Sequence, residues 1–150
     1  MKAVLLRVYV TLLTAAWHEV NAGDSGDLAD PYTTLVGYFN ALRELGGMRR
    51  LVEDEVRSRC AKIADRGTED GRGGARWFRA RELGEPVELT SRESTSSISR
   101  SRSRLRLGHT HDEHVDVLLA SNMISVGVDI DRLGLMVVAG QPKTTSEYIQ

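Results

Sequence analysis

A chain of 150 residues, 41% hydrophobic and 27% charged, has the size and make-up of one globular domain. Its net charge of −1 excludes a global electrostatic pull toward nucleic acid, so any such contact must be local. Its one cysteine, Cys60, excludes an internal disulfide and fits a reducing, cytoplasmic compartment, and a 5% aromatic content leaves an aliphatic core.

The N-terminal run Met1-Lys2-Ala3-Val4-Leu5-Leu6, followed by Leu12-Leu13-Thr14-Ala15-Ala16, has the flavour of a signal peptide. Arg7 interrupts it, however, and Trp17-His18-Glu19 makes a poor cleavage site. The pattern predicts an amphipathic helix from about Ala3 to Val20, with Leu5, Leu6, Leu12, Leu13 and Ala16 on one face. No uninterrupted apolar run reaches the roughly 18 residues of a membrane span. Asn21 to Asp30 reads as a loop ending at Pro31, so residues 1–30 are a helix and linker and residues 31–150 the domain proper. Tyr32 to Phe39 is uncharged, β-branched and aromatic, and predicts a buried strand. Asn40 is placed to cap a helix from Ala41 to Ala64, with Gly46-Gly47 as the place for a break. Asp65 to Ala75 is a loop. Trp77 and Phe78 pack the Arg72 to Leu83 segment on the sheet, the alternative being to stack a base.

Val87 to Thr90 predicts a short strand, and the Ser- and Arg-rich stretch from Ser91 to Leu107 is the weakest part of the domain. Val115 to Ala120 and Leu135 to Gly140 predict two more strands. Gln141-Pro142 ends the last, and Thr144 or Thr145 caps a helix opening at Ser146. Apolar strands alternating with helices predict an α/β fold, a parallel sheet with helices on both faces. Asn40, Thr90 and Ser121 all come directly after strand ends, so they should share the rim where such sheets bind ligands.

The stretch from Leu118 to Asp131, L-L-A-S-N-M-I-S-V-G-V-D-I-D, holds the most chemistry. Ser121 offers a hydroxyl to a phosphate, Gly127 allows close approach, and Asp129 can accept from a ribose hydroxyl. A strand-turn-strand link with a turn glycine and a surface aspartate fits the same letters. Arg92, Arg100, Arg102, Arg104 and Arg106 form either a basic patch for phosphates or a solvated face. His109, His111 and His114 lack the ligand count of a structural zinc site, so no metal is expected and these histidines titrate freely in a polar loop. Asp112-Glu113-His114 is likewise read as loop rather than as a magnesium-binding D-E-x-H motif.

Ala120-Ser121 through Gly127-Val128-Asp129 resembles motif V of superfamily 2 helicases. Thr34 to Asn40 resembles motif IV, Glu88 to Arg92 the next strand-end segment, and Thr144 to Gln150 the helix that opens motif VI. Order and spacing are similar to those of the second, C-terminal RecA-like domain, and the wording from Asn122 to Gln150 resembles the DISARM-type helicases of bacterial anti-phage defence. The resemblance covers about Tyr32 to Gln150. It implies that Ser121, with Asn122 beside it, holds the nucleic-acid backbone, and that Thr90, Ser91 and Arg92 add phosphate contacts. It also implies that Gly127 and Asp129 meet the ATP ribose and couple the domains, and that Gln150 is the first residue of motif VI. The implied partners are nucleic acid, DNA ahead of RNA, and a first RecA-like domain, with ATP and Mg²⁺ bound in the complete two-domain protein. The chain departs from the family in lacking a G-x-x-x-x-G-K-[ST] phosphate loop, and the motif VI arginines would fall after Gln150. It is therefore expected to be inactive alone, with no catalytic residue of its own. The rival expectation is a non-catalytic nucleic-acid-binding module or an inactive gene remnant.

Overall fold

The computed structural model describes residues 2–22, 26–63, 77–121 and 130–140. Four strands, β1 (Leu35–Phe39), β2 (Val87–Leu89), β3 (Val117–Ser121) and β4 (Leu135–Ala139), form one sheet in the order β2-β3-β1-β4. Every pairing is parallel. Helices lie on both faces, so the chain has an α/β fold, as the alternation of patterns predicts.

Helix α1 (Lys2–Val20) buries Leu6, Tyr9, Val10 and Leu13 in the same core as Leu35, Phe39, Val117 and Leu119 of the sheet, and Ala16 is buried as well. Of the predicted face, Leu5 and Leu12 are only partly buried, and Tyr9 and Val10 take the central places. By length and composition α1 is apolar enough to cross a membrane, which the interrupted run in the sequence does not suggest; here one side of it packs on the sheet. It approaches closely because Gly37 of β1 has no side chain. A Cβ there would collide with the Tyr9 hydroxyl and stand 3.1 Å from carbons of Leu119 and Phe39.

The short helix α2 (Gly26–Ala29) and a 3₁₀ turn at Asp30–Tyr32, with Pro31 in its first positions, lead to β1. The strand therefore starts at Leu35 and not at Tyr32, which is exposed. Thr33 and Thr34 are buried between them and stay satisfied, their hydroxyls donating to the carbonyls of Asp30 and Val115 at 2.7 Å.

Helix α3 (Leu42–Leu51), a π turn (Val52–Val56) and α4 (Arg57–Ala61) run on continuously. Gly46-Gly47 does not break the helix. The irregularity falls where the apolar spacing demands it: Met48, Val52, Val56 and Cys60, all buried, succeed one another at steps of four. Each such step overshoots a 3.6-residue turn by about 40°, and a wider turn keeps all four side chains on the sheet. Asn40 does not cap this helix; the N-cap is Ala41, extended and without a side-chain bond. Arg49 fastens α3 to β2 through Glu88 at 3.0 Å.

The opposite face carries α5 (Thr95–Leu105), so the Ser- and Arg-rich stretch is a helix after all. Ser94 caps it by accepting the Ser97 N–H at 3.2 Å. Ile98 and Leu105 anchor it to Val36, Leu89, Leu118 and Ala120. A good cap and two apolar anchors outweigh the poor propensity of serine. Trp77 is 63% exposed, so it does not pack its segment on the sheet.

Candidate nucleic-acid interface at the carboxyl rim

All four strands point the same way, so their carboxyl ends make one rim: Asn40 after β1, Thr90 after β2, Ser121 ending β3 and Gly140 after β4. The register sets Phe39 opposite both Ser121 and Ala139, and Leu89 opposite Ala120. Thr90 therefore lies level with Ser121 on the neighbouring strand, about 4.8 Å away across the ladder. Both are buried, Thr90 at 3% exposure and Ser121 at 6%. Alternation along the strands turns Ser121 to the face that carries Val117 and Leu119.

After Thr90 the chain makes a tight turn in which Glu93 N–H donates to the Thr90 carbonyl at 3.1 Å. The Thr90 hydroxyl receives a long bond, 3.4 Å, from the Arg92 N–H. Ser91 and Arg92 stand at the tip of the turn, Ser91 exposed and Arg92 next to it. Of the three expected contacts here, the sheet holds one and carries the other two outward on the turn. Gly140 leaves β4 with φ +96°, and a Cβ would meet the Asn40 amide nitrogen at 3.3 Å; a left-handed bend at that point favours glycine. Asn122, Gly127, Asp129 and Gln150 lie outside the described residues.

The arginines of α5 do not form one patch. Residues two apart on a helix point about 200° apart, which sends Arg100 and Arg104 to one side and Arg102 and Arg106 to the other. The Nε of Arg102 is buried, and Arg104 donates to the Glu113 carbonyl at 3.1 Å. Arg92, Arg100 and Arg106 are exposed to solvent. Cys60 is buried on α4, and loss of hydration pushes its thiol up to about 12, which leaves it no nucleophilic role at neutral pH. Among the described residues no group of three or more His, Cys, Asp and Glu side chains could hold a metal ion.

The most elaborate polar structure lies at the other end of the sheet. Arg81, 3% exposed, donates to Asp116 at 2.5 Å, to the Thr33 carbonyl at 2.8 Å and to the Leu13 carbonyl at 3.4 Å. Its guanidinium also lies 5.0 Å from the centre of the Trp17 ring. The second oxygen of Asp116 accepts the Gly84 N–H at 2.7 Å. Alongside, Arg132 donates to the Asp30 carboxylate at 2.9 Å and carbonyl at 3.1 Å, to the hydroxyls of Thr33 and Thr34 at 3.1 Å, and to the Leu105 carbonyl at 3.2 Å. Burial acts to raise the Asp30 pKa, but bonds from Arg132 and from the backbone and ring of His109 outweigh it and hold the carboxyl well below its usual range. His114 has its Nδ1 3.2 Å from the Leu107 carbonyl and its buried Nε2 3.7 Å from Asp116. Burial lowers its pKa, against the pull of Leu107 and Asp116. His109, bonded to Asp30 through its backbone and ring, and His114 are thus built into the fold. The sequence signal for this network was an aspartate inside an apolar run, Val115-Asp116-Val117, which is costly to bury without a cation beside it.

No protein-family model matches the chain. Over all 150 of its residues it is 45% identical to the DISARM protein DrmA of Bacillus paralicheniformis (strain ATCC 9945a / NCIMB 11709 / CD-2), and it spans 13% of that protein's length. A chain with an all-parallel sheet and two buried hydroxyls at its carboxyl rim is therefore close in sequence to one segment of a DISARM protein.

Proposed function

We propose that this chain is part of the second RecA-like domain of an ATP-dependent superfamily 2 helicase or translocase, acting on DNA in cytoplasmic phage defence. The observation that carries the reading is the placing of two buried hydroxyls, Thr90 and Ser121, level with each other at the carboxyl rim, in a chain 45% identical to a DISARM protein. Parallel α/β sheets bind their ligands at this rim. Hydroxyls, backbone N–H groups and exposed arginines are the groups that position a nucleic-acid backbone.

In this reading Ser121, Asn122 and Thr90 take strand phosphates, with Ser91 and Arg92 reaching outward from the turn. Gly127 and Asp129 meet the ATP ribose and pass closure of the interdomain cleft to Ser121, and Gln150 begins motif VI. The phosphate loop and the Mg²⁺ carboxylates belong to the first RecA-like domain, so the chain supplies one jaw of the motor and turns over no ATP alone. The test is single-strand-stimulated ATP hydrolysis by the longer protein carrying Asp129→Asn. A hydrogen bond to a charged group contributes about 1.5–3 kcal/mol, so turnover should fall roughly ten- to a hundredfold while nucleotide-free DNA binding is kept. Unchanged turnover, or stimulated turnover by residues 1–150 alone, overturns the reading.

A non-catalytic DNA-binding module is the second reading, favoured by the solvent-facing Arg92, Arg100 and Arg106. It requires each of these to neutralise a phosphate, which would lower the salt slope of single-strand binding by about 0.7 per arginine replaced.

A further inference from the structure

The net charge of −1 hides an uneven distribution. Among the described residues, exposed acids sit on the segments that lead into the strands: Asp27 before β1, Glu82 and Glu85 before β2, Asp112 and Glu113 before β3, and Asp131 before β4. The exposed cations there, Lys62, Arg79 and Arg106, are fewer. The carboxyl rim is the reverse. Lys2 opens α1, Arg43 lies in the first turn of α3 and Arg92 on the turn after β2, all three exposed, with the exposed acid Glu44 next to Arg43. A potential of this form turns a polyanion toward the rim even where the net charge exerts no pull.

Lys2 and Arg43 come from different elements yet border one groove, of about 580 Å³, at the β1 and β4 end of the rim. Its walls are Leu5 of α1, Met48 and Leu51 of α3, and Phe39 and Ala139 at the strand ends. Sites for small ligands run from about 300 to 1,000 Å³, mostly apolar with a few polar groups. An apolar floor with cations at its mouth complements one unit of a single nucleic-acid strand, a flat base between phosphates. Lys2 and Arg43 together outweigh the Glu44 carboxylate, which also borders the groove. A duplex keeps its bases stacked inside, so it cannot use the floor. From Thr90 beyond β2 to Gly140 beyond β4 the rim spans three strand spacings, about 14 Å, which a short run of single strand can follow.

We propose that this groove is a further nucleic-acid contact, in which Lys2 and Arg43 hold phosphates beside an unpaired base seated on the apolar floor. It rests on the reading that the carboxyl rim takes a nucleic-acid strand, and it carries that strand across the sheet, from the Thr90 and Ser121 hydroxyls to the far end of the rim. Helix α1 then does more than cover one face of the sheet, because its first turn supplies a cation to the site.

Binding of a fluorescent oligothymidine to residues 1–150, as a single strand and as a duplex with oligoadenine, tests it. Lys2→Gln and Arg43→Gln should each lower the salt slope of single-strand binding by about 0.7. Gly47 also borders the groove, and a Cβ there meets nothing within 4 Å. Gly47→Leu therefore fills the groove without a collision, and leucine favours the helix, so the fold is kept. It should weaken single-strand binding roughly five- to a hundredfold, the loss of one stacked base, and leave the duplex unchanged. Equal weakening of strand and duplex by Gly47→Leu overturns the proposal. If Thr90→Val and Ser121→Ala weaken binding while Lys2→Gln, Arg43→Gln and Gly47→Leu do not, the rim takes DNA and the groove is ruled out. Weakening by the groove variants alone keeps the groove and removes Thr90 and Ser121 from the site. Absence of strand binding at low salt removes both.

Discussion

The two ends of the same four strands are built on opposite plans. At the amino end Arg81 and Arg132 are saturated with acceptors, and between them tie α1, the 3₁₀ turn, β3, α5 and the approach to β4. At the carboxyl end Thr90 and Ser121 are as deeply buried, yet the one bond that the described residues give these two hydroxyls is the 3.4 Å contact to Thr90. One end spends its polar groups on holding the strands in place; at the other, the Thr90 and Ser121 hydroxyls take almost no part in that among the described residues. The difference teaches that burial alone does not mark a polar group as a support of the fold, whereas the number of its hydrogen bonds does.

The sharpest way to break this contrast is to remove a clamp. Arg81→Met leaves Asp116 buried without its cation and should cost about 3–5 kcal/mol, read as a fall in the urea midpoint; a loss under about 1 kcal/mol would mean that the amino end is not the support it looks to be. Arg132→Ala frees an Asp30 that water can partly reach, and should cost about 2–3 kcal/mol. Acid probes the same end more gently. His114 has a lowered pKa in the fold, so the unfolded chain takes up the proton first. Its contribution is complete above the ordinary histidine value of about 6.5 and is lost as pH falls from there through the folded value. His114→Gln should flatten that limb of the pH–stability curve. Asp30, also lowered, contributes above about pH 4 and loses its contribution only in stronger acid, so that second limb should survive in His114→Gln and vanish with Asp30→Asn. The smallest effects on stability belong to the carboxyl rim. Ser121→Ala and Thr90→Val remove hydroxyls with little or nothing bonded to them, and should change stability by under about 1 kcal/mol while weakening DNA binding. A loss of stability matching that of Arg132→Ala would erase the distinction between the two ends.

Much of the fold was legible because strand and helix periods are written in the apolar residues. β1, β3 and β4 came from continuous apolar runs, and the rim shared by Thr90 and Ser121 came from the parallel topology alone. Boundaries were less legible. Tyr32 looks like a strand residue, but Pro31 and the Asp30 carbonyl draw it into a 3₁₀ turn. Asn40 looks like a cap, but Ala41 already stands extended at that position. The amino-end network was hidden because each member is an ordinary charged residue in sequence: Arg81, Asp116, Asp30 and Arg132 meet only after the strands have been ordered, across separations as long as 102 residues. The α5 arginines differ in kind. Their spacing in sequence left a patch and a solvated face both open, and the helix disperses them.

Gly37 and Tyr9 carry a consequence for how this chain can change over time. The Tyr9 hydroxyl is buried without a hydrogen-bond partner, so Tyr9→Phe gives up nothing that the fold uses. Gly37→Ala alone drives a methyl group into that hydroxyl. After Tyr9→Phe the worst of the collision is gone, and only the tighter-than-usual contacts with Leu119 and Phe39 remain. The two substitutions are therefore open in one order and closed in the other, and the history of position 37 is conditional on what stands at position 9.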